Sequence, residues 1–161
     1  MSKEYRGWVK RHQDDAWSLA LYLLNDRSEA EDVTQEAFME LWRHRDSVPA
    51  DKIRPWLMKV TRNACFDRLR KRRAETDLDG LESDGQTQPA NYAMQTEVGE
   101  KLKQAIGQLA EPARSLVVLR DVLQYSYDEV AGATGLNLSQ VKVYLHRARK
   151  RLRAQLEEFR P

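Results

Sequence analysis

The stretch SYDEVAGATGLNLSQVKVYLHRARKRL constrains the fold more tightly than any other part of this chain. Ser126 followed by Glu129 forms a capping box, a reciprocal pair that predicts the start of a helix. Gly135 is suited to end that helix in a left-handed conformation. Asn137 with Gln140 then predicts a second, longer helix. A short helix, a glycine turn and a longer helix have the spacing of a helix-turn-helix module.

The longer of these two helices has an apolar side and a basic side. Its apolar residues recur every three or four positions and predict a core stripe: Val141, Leu145, Ala148, Leu152 and Leu156. In such modules the first turns of this helix meet base edges in the major groove, while later cations meet phosphates. The outward residues are the candidate duplex-DNA contacts: Ser139, Gln140, Lys142, Val143, His146, Arg147 and Lys150. Gln140 can read an adenine bidentately, and Arg149 is a further candidate phosphate ligand.

Similar apolar stripes predict helices in the rest of the chain. Only seven glycines and five prolines interrupt the 161 residues, which favours a mostly helical chain. Residues 8–24 have helical spacing, and Ser28 with Glu31 predicts that a second helix begins near Glu29. A third helix is predicted after the loop formed by residues 45–53.

The third helix is predicted to be two-sided. Its predicted buried stripe consists of Ile53, Trp56, Leu57, Val60 and Ala64. The face opposite this stripe carries three cations, an amide and an aromatic ring: Lys59, Arg62, Asn63, Phe66 and Arg70. Periodicity therefore predicts one basic exposed surface that includes Asn63, without saying what that surface binds.

One segment in the middle of the chain lacks the helical pattern of its neighbours. Residues 75–93 are acidic, contain Gly, Ser, Gln and Pro, and show no periodicity, which predicts a flexible linker. The expected fold is therefore all-α, with two small helical domains at residues 1–74 and 94–161.

The net charge of +2 conceals a strong segregation of charge. Residues 26–40 are acidic, whereas residues 68–73 hold five cations and no acid, and residues 142–153 hold six cations and no acid. Two separate basic surfaces on a nearly neutral chain suggest two contacts with one polyanion. Two solvated helix faces are the alternative explanation.

The sequence shows no convergent set of catalytic residues. His12, His44 and His146 are isolated, and no phosphate-binding loop or dinucleotide motif is present. We therefore expect no enzyme activity, no cofactor and no metal site. Cys65 is a single cysteine, which fits a reducing cytoplasm. No apolar run is long enough for a membrane span, and the N-terminus lacks the pattern of a secretory signal.

Three segments resemble one family, the bacterial sigma factors of the extracytoplasmic-function (ECF) group within the sigma-70 family. They are AEDVTQEAFMELWR, RPWLMKVTRNACFDRLRKRR and the helix-turn-helix stretch quoted above. The resemblance covers nearly the whole chain and implies a region 2 domain at residues 1–74 and a region 4 domain at residues 94–161. In that family, region 2 binds the clamp helices of the RNA polymerase β′ subunit and the single-stranded −10 element. Region 4 binds the β flap and the duplex −35 element.

The resemblance also implies roles for particular residues. It assigns the polymerase contact to the polar positions of the second helix: Asp32, Gln35, Glu36, Met39 and Arg43. Asn63 stands where the family captures a flipped base, between the third helix and the loop at residues 45–53. The neighbouring cations Lys59, Arg62 and Arg70 would hold the backbone of the −10 strand in register, and Phe66 would either stack on a base or pack against the loop. Gln124 replaces a glycine that is usual in the family. The resemblance further implies a cytoplasmic protein held inactive by an anti-sigma factor.

A stand-alone helix-turn-helix transcription regulator is the alternative function. Such a protein would bind duplex DNA tightly without polymerase, and its N-terminal helices would sense a signal or dimerise. It would leave Asn63 without a function.

Overall fold

The computed structural model describes residues 2–79 and 97–158, and their regular structure is helical throughout. There are seven α-helices in these ranges: α1 (Lys3–Leu24), α2 (Arg27–Arg43), α3 (Ile53–Asp79), α4 (Glu97–Gln108), α5 (Ala113–Val117), α6 (Tyr127–Thr134) and α7 (Leu138–Glu157). The chain divides into two compact units, unit 1 (Met1–Ala90) and unit 2 (Asn91–Pro161). The prediction of an all-α chain with two helical domains is confirmed.

Unit 1 is built from α1, α2 and α3, each of which packs on the other two. The largest side chains of its core are at most 1% exposed: Leu19, Leu21, Leu24, Leu41, Ile53, Leu57 and Met58. One buried polar contact joins α1 to α2, where the hydroxyl of Tyr5 donates to the carbonyl of Phe38 at 2.7 Å. Apolar burial supplies most of the driving force for this packing, and the hydrogen bond fixes how α1 lies along α2.

The start of α2 differs from the prediction based on Ser28 and Glu31. Asn25 ends α1 in a left-handed conformation, with a φ of 53°. Asp26 then has extended backbone, and its Oδ1 accepts from the N–H of Glu29 at 3.0 Å, so it is the N-cap. An N-cap must be the last non-helical residue. Ser28 is already inside the helix, and the predicted box was therefore wrong.

The buried stripe of α3 is rotated by about one residue from the predicted one. Ile53 and Leu57 are buried as expected, but Thr61 and Cys65 replace Val60 and Ala64 in the core; Trp56 is also only half-buried. Thr61 can be buried because its hydroxyl donates to the carbonyl of Leu57 at 2.8 Å. A polar residue whose hydrogen bond is formed within its own helix costs little to bury. The prediction placed only apolar residues in the core and therefore missed Thr61.

The third helix is also longer than the pattern suggested. It continues to Asp79, so its last turn lies within residues 75–93, the range predicted to be a linker. The rest of that range lies outside the described residues.

Unit 2 contains α4 to α7, and α5 continues directly into a π-helical turn at Val118–Val122. Its core is nearly closed to solvent; the residues with at most 1% exposure include Ile106, Leu116, Val118, Leu119, Tyr125 and Leu145. α7 packs on α4, α5 and α6. This helix is therefore held from one side by the rest of the unit, and its other side is open.

Both capping boxes predicted in unit 2 are confirmed. The Ser126–Glu129 box starts α6, and the Asn137–Gln140 box starts α7, with both reciprocal hydrogen bonds formed in each. Gly135 ends α6 with a φ of 77°, a conformation in which glycine avoids the strain of a side chain.

Gln124, in the turn before α6, also has a left-handed backbone, with a φ of 64°. A side chain is unfavourable in that conformation, so Gln124 carries backbone strain that a glycine would not. None of the helices in the two described ranges is both long enough and apolar enough to cross a membrane.

Candidate nucleic-acid interface

α2 presents an exposed face on the side away from the core of unit 1. All five residues predicted to contact polymerase lie on it: Asp32, Gln35, Glu36, Met39 and Arg43. Met39 is 57% exposed, which is unusual for a large apolar side chain. It borders a small apolar pocket formed with Tyr5, Trp42 and Arg43. The face therefore combines carboxylates with an apolar patch.

Two cations of residues 68–73 pair with the acids of α2. The guanidinium of Arg68 lies 2.6 Å from a carboxylate oxygen of Glu36 and 4.0 Å from one of Asp32. Arg72 forms an ion pair with Glu29 in the same way. This basic cluster is therefore partly neutralised within unit 1, and only part of it is free to meet a polyanion.

A groove between α2 and α3 brings two predicted sites together. It encloses about 360 Å³. Its walls are formed by side chains of both helices: Glu36, Ala37, Met39, Glu40, Arg43, Val60, Asn63, Ala64 and Asp67. Asn63 is exposed on this groove. The candidate base reader and the candidate polymerase contacts Glu36, Met39 and Arg43 thus share one surface, although the pattern on α3 had not indicated this.

The other residues of the predicted −10 face differ in their availability. Lys59 and Arg70 are exposed, and Arg70 pairs with Asp67 one turn earlier. Arg62 and Phe66 are half-buried, and the guanidinium of Arg62 lies 4.5 Å from the centre of the Phe66 ring. One face of that ring is therefore covered, so stacking of a base on that face would require Arg62 to move.

The loop before α3 is anchored at its start. The guanidinium of Arg45 lies 3.8 Å from the centre of the Trp42 ring and donates to the Trp42 carbonyl at 2.7 Å. The His44 ring lies 5.6 Å from that of Trp56, which is in the first turns of α3. A 3-10 turn at Ala50–Lys52 then leads into the helix. These contacts hold the loop beside the beginning of α3.

The open side of α7 carries the residues predicted to contact duplex DNA. All seven are exposed: Ser139, Gln140, Lys142, Val143, His146, Arg147 and Lys150. Of the predicted core stripe, Val141, Leu145, Ala148 and Leu152 are buried and Leu156 is half-buried. Val143 is 46% exposed and offers an apolar contact among the polar residues. The helix therefore presents polar and small groups near its N-terminus and cations further along.

The side chain of Gln140 is not free at both of its ends. Its Oε1 accepts from the backbone N–H of Asn137 at 3.0 Å, while Oδ1 of Asn137 accepts from the backbone N–H of Gln140 at 2.8 Å. Bidentate recognition of adenine requires both the amide oxygen and the amide nitrogen. Oε1 keeps a second lone pair beside its bond to Asn137, so the reading of adenine by Gln140 stays a prediction.

Arg149 has a partner that the sequence did not reveal. Its guanidinium binds both carboxylate oxygens of Asp121, at 3.0 and 2.6 Å, so a DNA phosphate would have to compete with this carboxylate for Arg149. A hydrogen bond from Arg149 also lowers the pKa of the Tyr127 phenol, with the charge of Arg120 contributing. Arg120 lies 4.7 Å from the centre of the Tyr127 ring and donates to the carbonyl of Tyr125 at 2.8 Å. Together these contacts tie α7 to the π-helical turn and to the start of α6.

Within residues 2–79 and 97–158, no group of three or more His, Cys, Asp or Glu side chains is placed to hold a metal ion.

The chain is similar to known protein families and to solved structures. Residues 8–75 match the family model of Sigma-70 region 2, and residues 99–152 match that of Sigma-70, region 4. The ECF RNA polymerase sigma factor SigM of Bacillus subtilis is 31% identical, over 89% of this chain and 89% of its own length. SigE of Mycolicibacterium smegmatis, also an ECF RNA polymerase sigma factor, is 30% identical over 92% of this chain, and the chain spans 60% of that relative's length.

Two solved structures extend the comparison. A chain in the co-crystal structure of the sigma factor RpoE with the anti-sigma factor NepR from Bartonella quintana is similar, with a TM-score of 0.82 and 26% identity. The match covers 99% of this chain and 100% of that one. A chain of the complex between CnrH and the cytosolic domain of CnrY shares the fold, with a TM-score of 0.71, 24% identity, and coverage of 97% and 89%. With both family regions matched in order along most of its length, the chain belongs to the ECF RNA polymerase sigma factors of the sigma-70 family.

Proposed function

We propose that this sigma factor gives core RNA polymerase its promoter specificity by dividing three contacts among three helices. In this proposal α2 binds the clamp helices of the β′ subunit, α3 captures a base of the melted −10 strand, and α7 reads the duplex −35 element. Unit 2 also binds the β flap. Residues 1–74 and 94–161 act as the region 2 and region 4 domains. The protein contributes recognition rather than catalysis, and works in the cytoplasm with the polymerase.

The groove between α2 and α3 is the observation that carries this proposal. It places Asn63 beside Met39 and Arg43 on one exposed surface. An amide can both donate and accept hydrogen bonds, as recognition of an unpaired base requires. Methionine, aromatic residues and arginine are enriched in protein interfaces. One surface therefore carries residues suited to bind a DNA strand and residues suited to bind a protein. A protein that joins promoter DNA to polymerase needs both kinds of contact.

The polymerase contact is supported by the mixed character of the α2 face. The exposed fractions of the Asp32 and Glu36 side chains are 60% and 52%, so both carboxylates can reach a basic partner. Met39 adds an apolar contact beside the ring of Trp42. Charge complementarity would steer the encounter, and burial of Met39 would supply affinity.

The two DNA contacts are expected to be weak separately and strong together. Once one unit has bound its promoter element, the second contact becomes intramolecular and gains the effective concentration set by the connecting segment. We infer that an anti-sigma factor controls the protein by covering its polymerase-binding surfaces. The similar sigma factor RpoE is in complex with the anti-sigma factor NepR, which supports control of this kind.

Run-off transcription with core polymerase is the test of the proposed function. We expect promoter-specific transcripts only when the sigma factor is added to the core enzyme. A protein that gives no such transcript, but shifts duplex promoter DNA tightly by itself, would be a helix-turn-helix regulator instead.

Asn63→Ala separates base capture from polymerase binding. We expect roughly tenfold weaker open-complex formation, from loss of hydrogen bonds to one base, and unchanged affinity for core polymerase. Gln13→Ala removes another exposed amide, on α1, and serves as the matched control. Equal losses in open-complex formation and core binding would count against base capture.

Arg147→Ala tests the face of α7. We expect weaker promoter binding and a salt dependence whose slope falls by about one, because one phosphate contact is lost. Arg153→Ala removes the same charge from the far end of the helix and should leave the slope unchanged. If Arg147→Ala binds the promoter with normal affinity and a normal salt slope, Arg147 does not contact DNA.

A further inference from the structure

Arg43 lies at the boundary between two surfaces of unit 1. It is the last residue of α2, and it lines both the groove that contains Asn63 and the small apolar pocket beside Met39. Its side chain is 63% exposed. The resemblance to sigma factors assigns Arg43 to the polymerase contact, but its position also makes it a neighbour of any strand held at Asn63.

The groove between α2 and α3 carries more negative than positive charge. The carboxylates of Glu36, Glu40 and Asp67 lie on its walls, and Arg43 is the one cation among the described residues that line it. Carboxylates repel the phosphates of an approaching strand. A strand whose base reaches Asn63 therefore needs a cation at this groove, and Arg43 is placed to supply it.

Arg43 has donors to spare for a phosphate. Its Nη1 donates to a carboxylate oxygen of Glu40, one turn earlier on the helix. A guanidinium has five N–H donors in a planar fork, so Nε and Nη2 can bind two oxygens of one phosphate while Nη1 stays on Glu40. The other two carboxylates of the groove already pair with arginines of α3, Arg68 and Arg70.

The polymerase-binding face of α2 does not match the charge of Arg43. The carboxylates of Asp32 and Glu36 on that face are more than half exposed and suit a basic partner. A basic partner would repel a cation beside those acids, whereas a phosphate would attract it. Charge complementarity therefore favours DNA over polymerase as the partner of Arg43.

We propose that Arg43 binds the phosphate next to the base captured at Asn63, and so belongs to the −10 contact instead of the polymerase contact. This inference rests on the proposed function, in which α3 captures a base of the melted strand. Arg43 on α2 holds the backbone, while Asn63 on α3 reads the base from the other wall of the groove.

Arg43→Gln removes the charge and keeps an exposed polar side chain. Arg27→Gln makes the same change at the exposed first residue of α2 and is the matched control. The first assay measures the affinity of each holoenzyme for a single-stranded −10 oligonucleotide at several salt concentrations, and the second measures the affinity of each sigma variant for core polymerase.

We expect the salt slope of Arg43→Gln to be lower than that of the wild type by about 0.7, the contribution of one phosphate in a single strand. Between about 50 and 200 mM salt, this variant should then lose about 2.6-fold less affinity than the wild type. Arg27→Gln and the charge-conserving variant Arg43→Lys should keep the wild-type slope. Affinity for core polymerase should be unchanged in Arg43→Gln.

Neutral methylphosphonate linkages locate the phosphate that Arg43 binds. The −10 oligonucleotide is made with one neutral linkage at a time, and each version is bound by wild-type and Arg43→Gln holoenzyme. One linkage should weaken binding by the wild type but not by Arg43→Gln. That linkage should adjoin the base whose recognition is lost in Asn63→Ala.

Two results would overturn the assignment of Arg43 to DNA while leaving the proposed function intact. One is weaker binding of Arg43→Gln to core polymerase with an unchanged salt slope, which would return Arg43 to the polymerase contact. The other is the same sensitivity to every neutral linkage in the wild type and in Arg43→Gln. A wild-type holoenzyme with no preference for the −10 strand would instead refute base capture by α3, and this inference with it.

Discussion

Breaking the ion pair between Arg149 and Asp121 should lower the free energy of unfolding of unit 2 without removing a DNA contact. Both oxygens of Asp121 bind the Arg149 guanidinium. The exposed fractions of the two side chains are 37% and 35%, so solvent screens part of the interaction. Exposed pairs contribute about 0.2–1 kcal/mol, and bidentate geometry strengthens a pair. We therefore expect a coupling energy of about 1 kcal/mol between the two side chains.

A double-mutant cycle measures that coupling directly. The variants are Arg149→Gln, Asp121→Asn and the double variant, each unfolded with urea and followed by circular dichroism. Arg149→Gln should destabilise more than Asp121→Asn, because it also loses the hydrogen bond to Tyr127. A loss of about 1 kcal/mol lowers the melting temperature of a 60–100-residue domain by about 4–8 °C. The coupling should shrink at high salt.

The salt dependence of promoter binding supplies the second readout. A phosphate ligand contributes about 0.9 to the slope of log affinity against log salt concentration. We expect Arg149→Gln to leave this slope at the wild-type value, whereas Arg147→Ala lowers it. Additive losses of stability in the cycle, or a slope reduced by Arg149→Gln as much as by Arg147→Ala, would refute the assignment of Arg149 to Asp121.

Three smaller changes test other contacts. Gln124→Gly should raise the free energy of unfolding of unit 2 by about 0.5 kcal/mol in urea unfolding, because relief of left-handed strain slightly exceeds the entropy cost of glycine. Tyr127 ionises below its usual pKa of 10.0 in the folded state, so it stabilises the fold only at alkaline pH, and the benefit is lost as pH falls through the lowered pKa. Tyr127→Phe should therefore remove the earliest step in tyrosinate absorbance and lower stability most above pH 10, and Arg149→Gln should move that step to higher pH. Tyr5→Phe should cost unit 1 about 1 kcal/mol, measured by urea unfolding, through loss of its buried hydrogen bond to Phe38.

Features set by neighbouring residues could be predicted from the sequence. Ser126 with Glu129 and Asn137 with Gln140 lie three residues apart, and each pair forms its box within a single helical turn. Gly135 likewise has a role set by its immediate neighbours, because the end of a helix commonly requires a left-handed φ. The open face of α7 follows from the same periodicity. Local physics is sufficient for such features, since no distant residue has to be known.

Contacts between distant residues could not be predicted in the same way. Arg68 meets Glu36 across 32 positions, and Arg149 meets Asp121 across 28. In the sequence each of these arginines belongs to a basic run and looks like a phosphate ligand. Which cations remain free is decided by the packing of one helix on another, so charge counting overestimated the basic surface.

The position of Asn63 follows from the rotation of α3 about its axis. With Thr61 and Cys65 in the core, Asn63 turns towards α2 and lies on the groove it shares with Met39 and Arg43. A strand held at Asn63 would therefore lie next to any protein bound on α2. Two ligands on one groove influence each other's binding, and the influence is reciprocal. Polymerase bound on α2 would form part of the wall around the captured base, so this placement favours reading of the −10 strand by the holoenzyme over reading by the free sigma factor.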